Sequence, residues 1–313
     1  MLGFKLVPDD VNIKFIPFQK LFLAVSSIAV AGAILLIAVK GLTFGIDFAG
    51  GLLLEVRTEK PADLAKMRSQ LGALNLGDVS LQTFGQPTDV LIRVQKQDGG
   101  AEAQQAVITA VKQALGSGVD YRRTEFVGPQ VSEELLIQGV EAVVAAIIAM
   151  LIYIWLRFEW QFGLGAVVAL THDVILTIGV FALIEHEFNL ATVAAVLTIA
   201  GYSINDTVVV YDRVREDLRK YKSLPIQELL NNAINATLAR TTMTSFTTLI
   251  ALFALYGLGG EVIKDFAFAM IFGIVVGTYS SICVAVPLLI YTKIAFRART
   301  GGEDEGGAET AAG

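Results

Sequence analysis

The chain has 313 residues, 54% hydrophobic and only 17% charged, with a mean hydropathy of +0.61. Soluble domains carry about 25% charged residues, so this balance excludes an ordinary soluble protein and identifies a membrane protein. A single cysteine, Cys283, excludes intrachain disulfides and cysteine-based zinc sites, and Glu303, Asp304, Glu305 and Glu309 carry four of the six excess negative charges, so no polybasic nucleic-acid footprint remains.

Residues 1–20 contain Lys5, Lys14 and Lys20 and precede the first uncharged apolar run, Leu21 to Val39 within 21–39. That run exceeds the apolar core of a signal peptide, and Val39-Lys40-Gly41 offers no small-residue cleavage site, so an uncleaved transmembrane helix is expected. Residues 40–132 then form a polar insertion. Its pattern predicts strand at Gly51 to Arg57, helix at Pro61 to Leu74, strands at Val79 to Phe84 and Val90 to Val94, helix at Ala101 to Leu115 and strand at Tyr121 to Phe126. This β-α-β-β-α-β order is that of a ferredoxin-like α+β domain. Leu52, Leu54 and Val56 alternate with Leu53, Glu55 and Arg57, as one covered sheet face requires, and Pro61 suits a first helical turn. Such a domain either binds polypeptide along a strand edge or acts as a packed spacer.

Residues 133–292 carry five further spans, giving a polytopic α-helical fold of six transmembrane helices. Leu135 to Leu156 keeps Gln138 and Glu141 near one end. Phe162 to Ile184 has one ionisable acid, Asp173, at its middle, and Leu190 to Tyr211 has Asp206 nearer its far end. Near 223–239, Ile226, Leu229, Leu230, Ala233, Ile234 and Leu238 recur at helical spacing after Pro225, which predicts an amphipathic helix on the cytoplasmic surface. Thr241 to Leu258 and Phe266 to Thr292 complete the set, the latter with Gly273 and Gly277 in a small-residue spacing, while Gly163 and Gly165 open the third span. Residues 293–313 read as a disordered acidic Gly/Ala tail. Lysine and arginine favour one set of loops, namely the N-terminus, Arg157, Arg213 to Lys222, and Lys293, Arg297 and Arg299, so both termini are expected in the cytoplasm and the insertion outside.

An ionised Asp at mid-bilayer costs something like 2.5–3.5 kcal/mol on insertion scales, so Asp173 and Asp206 are the candidates for function. Tyr202, Val209 and Arg213 share a face with Asp206. Arg240 begins the fifth span, followed by Thr244, Thr247 and Thr248 on one face. A guanidinium stays charged, whereas an acid beside it changes state: burial favours the neutral form and the cation favours the charged one. Protonating Asp206 would break the pair and let helices repack, or the pair simply holds helices together. Asp173 has no evident cationic partner, because His172 is expected on a different face and His186 at the opposite interface; no metal site is expected.

Several segments resemble one family. Phe44-Gly45-Ile46-Asp47-Phe48-Ala49-Gly50-Gly51 is similar to its FGIDFxGG signature, and Phe126 to Val131 to its VGPxV entry. Thr171-His172-Asp173-Val174 is similar to its HD segment, Tyr202 to Glu216 to its YSxNDT…DRxRE block, and Arg240-Thr241 to its R-T start of span five. Together, over the chain up to about residue 297, these resemble the SecD/SecF family of protein-export membrane subunits, related to the RND exporters. The resemblance implies a SecD partner, the SecYEG channel and YajC as neighbours, an unfolded preprotein as substrate, and the bacterial cytoplasmic membrane with the outer domain in the periplasm. It implies coupling to the proton motive force at Asp206 and Arg240, with Asp173 as a further candidate and Tyr202, Asn205, Thr207, Thr244 and Arg213 as support.

Gly45, Asp47, Gly50 and Gly51 read as a structural motif, with glycines for a turn and Asp47 bonded to its own backbone. No cofactor and no enzymatic site is expected; a gradient supplies the energy, with Na⁺ left open beside H⁺. The alternative reading is half of an RND-type proton-coupled exporter of small molecules or lipids. A structural adaptor without gradient use is the third, and it would tolerate Asn at position 206.

Overall fold

The structure, a computed structural model, describes residue 8 and residues 11–77, 79–95, 97, 100–116, 118–259 and 261–292. Lys5, the cations Lys293, Arg297 and Arg299, and the tail reading for 293–313 lie outside the described residues. The chain divides into two units.

The first unit comprises 1–42, 143–186 and 191–313. A short 3₁₀ turn at Ile16–Phe18 leads into α1 (Gln19–Lys40). The second unit comprises 43–142 and 187–190. It begins with β1 (Thr43–Phe44), a single turn α2 (Ile46–Ala49), β2 (Gly51–Thr58), α3 (Leu64–Gly72), β3 (Val79–Phe84), β4 (Gln86–Val94), α4 (Gly100–Leu115) and β5 (Val119–Val127). The helix α5 (Pro129–Arg157) leaves this unit, and α6 (Trp160–Ile184), β6 (Glu187–Phe188), α7 (Leu190–Lys220), α8 (Ile226–Leu258) and α9 (Glu261–Ser280) follow. A π-helical turn, Ser281–Ala285, joins α9 to α10 (Val286–Tyr291).

Six helices among the described residues are long and apolar enough to cross a membrane. In the apolar windows of α6, α7 and α9–α10, 50%, 56% and 67% of residues are buried, against 11%, 6% and 17% in α1, α5 and α8. The third, fourth and sixth spans therefore form the inside of the helical unit, which is where an acid in a membrane protein belongs. Glycine permits the tight crossings: a Cβ on Gly179 would lie 2.4 Å from Ala33 Cβ, and one on Gly273 would lie 2.3 Å from Ile199 Cδ1.

Helix α8 corrects one expectation. It is continuous from Ile226 to Leu258, so the amphipathic stretch near 223–239 is no separate surface helix but the first half of the fifth span's helix. Its apolar stripe, Leu229, Leu230, Ala233 and Ile234, is buried in the protein core instead of lipid. The polar edge is used as well: Asn231 Oδ1 accepts from the Phe15 N–H at 2.8 Å, and Asn235 both accepts from Ile13 N–H at 2.8 Å and donates to Ile13 O at 2.9 Å. These side-chain amides fix the segment that enters α1, because each satisfies a backbone group that the irregular chain leaves open.

The second unit contains a four-stranded antiparallel sheet in the order β3-β4-β2-β5, with α3 and α4 supplying Met67, Leu71, Val107 and Val111 to its core. That order is the split β-α-β topology. Leu52, Leu54 and Val56 are fully buried in it, each worth roughly 1.5–3 kcal/mol of apolar burial. Pro61 lies outside α3; Asp63 caps the helix, accepting from Lys66 N–H at 3.0 Å. A parallel pair of short strands, β1 with β6, brings residues 43–44 beside 187–188. The Asp47 carboxylate accepts from the Leu190 N–H at 2.9 Å, at the start of α7, and so serves another segment rather than its own backbone. Gly50, with φ +69°, fits a turn where a Cβ would come within 3.0 Å of Ser132 Oγ, and Gly51 at φ +118° also needs glycine.

Candidate functional site

The two intramembrane acids lie on the inside helices of the first unit. Asp173 is completely buried at the middle of α6. Its Oδ2 accepts from Ser203 Oγ on α7 at 2.5 Å and from Ser280 Oγ at the end of α9 at 2.7 Å. The Oδ1 atom lies 2.8 Å from His172 Nδ1. His172 thus corrects the expectation of a different face: the imidazole reaches sideways to the next residue's carboxylate, and the Nδ1–H tautomer suits that bond. Small residues make room, since a Cβ on Gly277 would already lie 3.3 Å from Ser203 Cβ and 3.6 Å from Asp173 Oδ2.

Asp206 on α7 is 6% exposed, and its Oδ2 accepts from Ser281 Oγ at 2.9 Å. The buried Thr241 hydroxyl lies beside the same carboxylate without ordinary hydrogen-bond geometry. Arg240 is exposed; its charge reaches Asp206 through space, but no ion pair joins them. The acid and the cation are therefore neighbours, and not the direct contact pair that sequence spacing suggests.

Consecutive residues Ser280 and Ser281 hold one carboxylate each, at the point where α9 passes into the π-helical turn. Widened turns of this kind leave carbonyls displaced from the α-helical ladder. Here Ala285 O accepts from Tyr211 Oη at 3.0 Å, and Pro287, with no N–H, follows two residues later. Gly165 makes that bond possible, because a Cβ there would fall 2.3 Å from Tyr211 Oη and 3.1 Å from Ala285 O.

The supporting residues separate into two groups. Tyr202 Oη donates to Ser245 Oγ at 3.5 Å, and Ser245 in turn lies 2.6 Å from Thr278 Oγ1, so these hydroxyls link α7, α8 and α9. Thr207 is buried, whereas Asn205 is exposed. Thr244, Thr247 and Thr248 do not face Asp206: each bonds a carbonyl on its own helix at 2.7, 2.9 and 2.8 Å. The hydroxyls of α8 that point inward at this level are Thr241 and Ser245, both buried. Arg213 is held by Asp217 at 3.1 Å and Glu216 at 3.4 Å, one turn beyond the reach of Asp206. The sequence reading missed Ser203, Ser245, Thr278, Ser280 and Ser281; the one available signal was the Ser-Ser pair in an otherwise apolar sixth span.

This is a polytopic membrane protein with two buried carboxylates that accept hydrogen bonds from hydroxyls of α7, α9 and the π-helical turn. The family described as "Protein export membrane protein SecD/SecF, C-terminal" matches residues 107–295, and the "SecD/SecF GG Motif" matches residues 35–62. A protein translocase subunit SecF of Magnetococcus marinus is 51% identical over 256 residues, covering 80% of this chain and 82% of that one. The Rickettsia rickettsii protein of the same name is 44% identical over 292 residues, covering 91% and 93%. The crystal structure of SecDF from Thermus thermophilus superposes with a TM-score of 0.83 at 35% identity, over 91% of this chain and 39% of that one. The chain thus spans about two fifths of SecDF. It belongs to the SecD/SecF family, and protein export is the process it serves.

Proposed function

We propose that this chain is the SecF-type subunit of a Sec translocase, that it pairs with SecD, and that proton uptake and release at Asp206 drives a movement that promotes late steps of preprotein translocation. The observation that carries the reading is the state of Asp206: an acid inside the membrane with one full hydroxyl bond, a second hydroxyl beside it, and a fixed charge within reach but unpaired. In this reading each gain or loss of a proton alters the carboxylate's pull on Ser281 and hence on the π-helical turn. One charge moved through 100 mV carries about 2.3 kcal/mol, enough to tip a two-state element of a few kcal/mol.

A SecD partner is supported by an exposed face that suits protein better than lipid. Thr198, Gly201 and Asn205 lie exposed on α7, and Arg240, Thr244 and Thr247 on α8. A Cβ on Gly201 would meet nothing within 4 Å, so the glycine leaves room for a further helix. In this reading the machinery lies in the bacterial cytoplasmic membrane beside SecYEG and YajC, with both termini in the cytoplasm and the sheet domain meeting unfolded preprotein in the periplasm.

Replacing Asp206 by Asn in membranes depleted of ATP tests this. Gradient-dependent completion of export should fall at least tenfold while the subunit still assembles with SecD. Normal export would show that the chain acts as an adaptor without using the gradient.

A further inference from the structure

A cavity of about 600 Å³ opens between α1, α6 and α10, within the usual range of small-molecule sites. Leu23, Val30 and Ile34 form one wall, and Val168, Ile175 and Leu288 the others. Among these apolar groups lie four polar ones, Ser26, Ser27, Thr171 and His172, and Ser26 is already bonded to Tyr279 Oη at 3.0 Å. Ser27 and Thr171 are exposed, and neither forms a hydrogen bond with a described residue. His172 is 5% exposed; its Nδ1 is engaged by Asp173, and its Nε2, on the opposite edge of the ring, is buried without a partner.

Depth restricts what can satisfy that nitrogen. His172 lies twelve residues from each end of α6, about 18 Å by helical rise, and so at mid-bilayer. Phospholipid headgroups remain about 15 Å away at the interface, and acyl tails bring no polar atom. A charged ligand would meet the full cost of mid-membrane insertion. In the neutral tautomer that suits the Asp173 contact, with Nδ1–H donating to the carboxylate, Nε2 presents a lone pair and requires a donor. A ketone, ester or ether supplies none.

We propose that this groove binds a lipophilic alcohol, a neutral membrane-dissolved molecule whose hydroxyl donates to His172 Nε2 and accepts from Thr171 or Ser27 while its apolar body fills the cavity. The site does not depend on the export reading.

The full-length chain in phospholipid nanodiscs, irradiated with a diazirine-bearing octanol and, separately, a diazirine-bearing octane, tests it. The alcohol probe should label peptides spanning 23–34 and 167–175 saturably, with displacement by octanol and not by octane. His172→Phe should weaken saturable labelling about tenfold, the size expected for one lost hydrogen bond to a buried acceptor. Val168→Phe, which fills the groove without touching the imidazole and carboxylate, should do the same, and it decides the question if His172→Phe does not fold. Equal labelling by the alkane, or saturable labelling that survives both substitutions, would overturn the proposal in favour of a groove filled by acyl tails alone.

Discussion

Asp173 and Asp206 sit on adjacent helices and are held by adjacent serines, but they are held differently. Asp173 is fully buried and receives two hydroxyl bonds and an imidazole from three elements. Asp206 retains slight exposure, receives one hydroxyl bond, and has a second hydroxyl and a cation nearby that complete no bond. Loss of a carboxylate that accepts from several donors strands more partners than loss of one that accepts from a single hydroxyl. The first acid is therefore the more firmly tied into the helical unit.

The largest break in this contrast comes from Asp173→Ala, which strands His172 and two serines in a dry core. Thermal unfolding in detergent should show a loss of about 3–5 kcal/mol, whereas Asp206→Ala should cost about 1–3 kcal/mol. Equal losses would erase the distinction. Gly165→Ala comes next: its Cβ displaces the Tyr211 hydroxyl from Ala285 and should cost about 1–3 kcal/mol. Faster hydrogen exchange confined to residues 281–285 is the expected signature, and uniform exchange along α9 and α10 would argue against a separate π-helical element. Ser281→Ala and Ser280→Ala should each cost about 0.5–1.5 kcal/mol, but only Ser281→Ala should depress gradient-driven export. An equal effect of both on export would mean that the two acids act as one.

A third carboxylate, outside the membrane, sharpens the comparison by having what Asp206 lacks. Asp89 on β4 takes a two-pronged bond from Arg57 on β2, at 2.5 and 2.6 Å, and this guanidinium holds its titration below the ordinary carboxylate range. A lowered folded value means the stabilisation is present above the unfolded range near about 4 and is lost as pH falls through the folded value. Hydrogen-exchange protection of residues 51–58 and 86–94 should accordingly weaken below about pH 4 in the native chain. Asp89→Asn should be slightly less protected at neutral pH and lose that acid step; an unchanged acid step would assign it to another group.

Much of the α+β domain was legible because its signals are local. Period-two alternation at Leu52, Leu54 and Val56 places them on one face whatever else the chain does. The start of α3 was misplaced because proline and aspartate both mark helix entries, and only the bond from Lys66 N–H to Asp63 decides between them. Within the membrane, Asp173 and Asp206 could be singled out by cost alone. Their partners could not. A hydroxyl in a span ordinarily bonds its own carbonyl, as Thr244 and Thr248 do, and beyond its place in a Ser-Ser pair nothing in the sequence tells that Ser280 has a partner 107 residues away.

Amino-acid order alone determined that the chain crosses a membrane six times, that a folded α+β insertion follows the first crossing, and which two acids lie in the apolar spans, because transfer free energy and periodicity are properties of each segment by itself. Only the tertiary structure decided that those acids end at consecutive serines of a π-helical turn, that His172 turns to Asp173, and that Arg240 stays short of Asp206. Those outcomes depend on how closely α6, α7, α8 and α9 approach, and that distance is set by facing glycines and side-chain volumes on different helices at once.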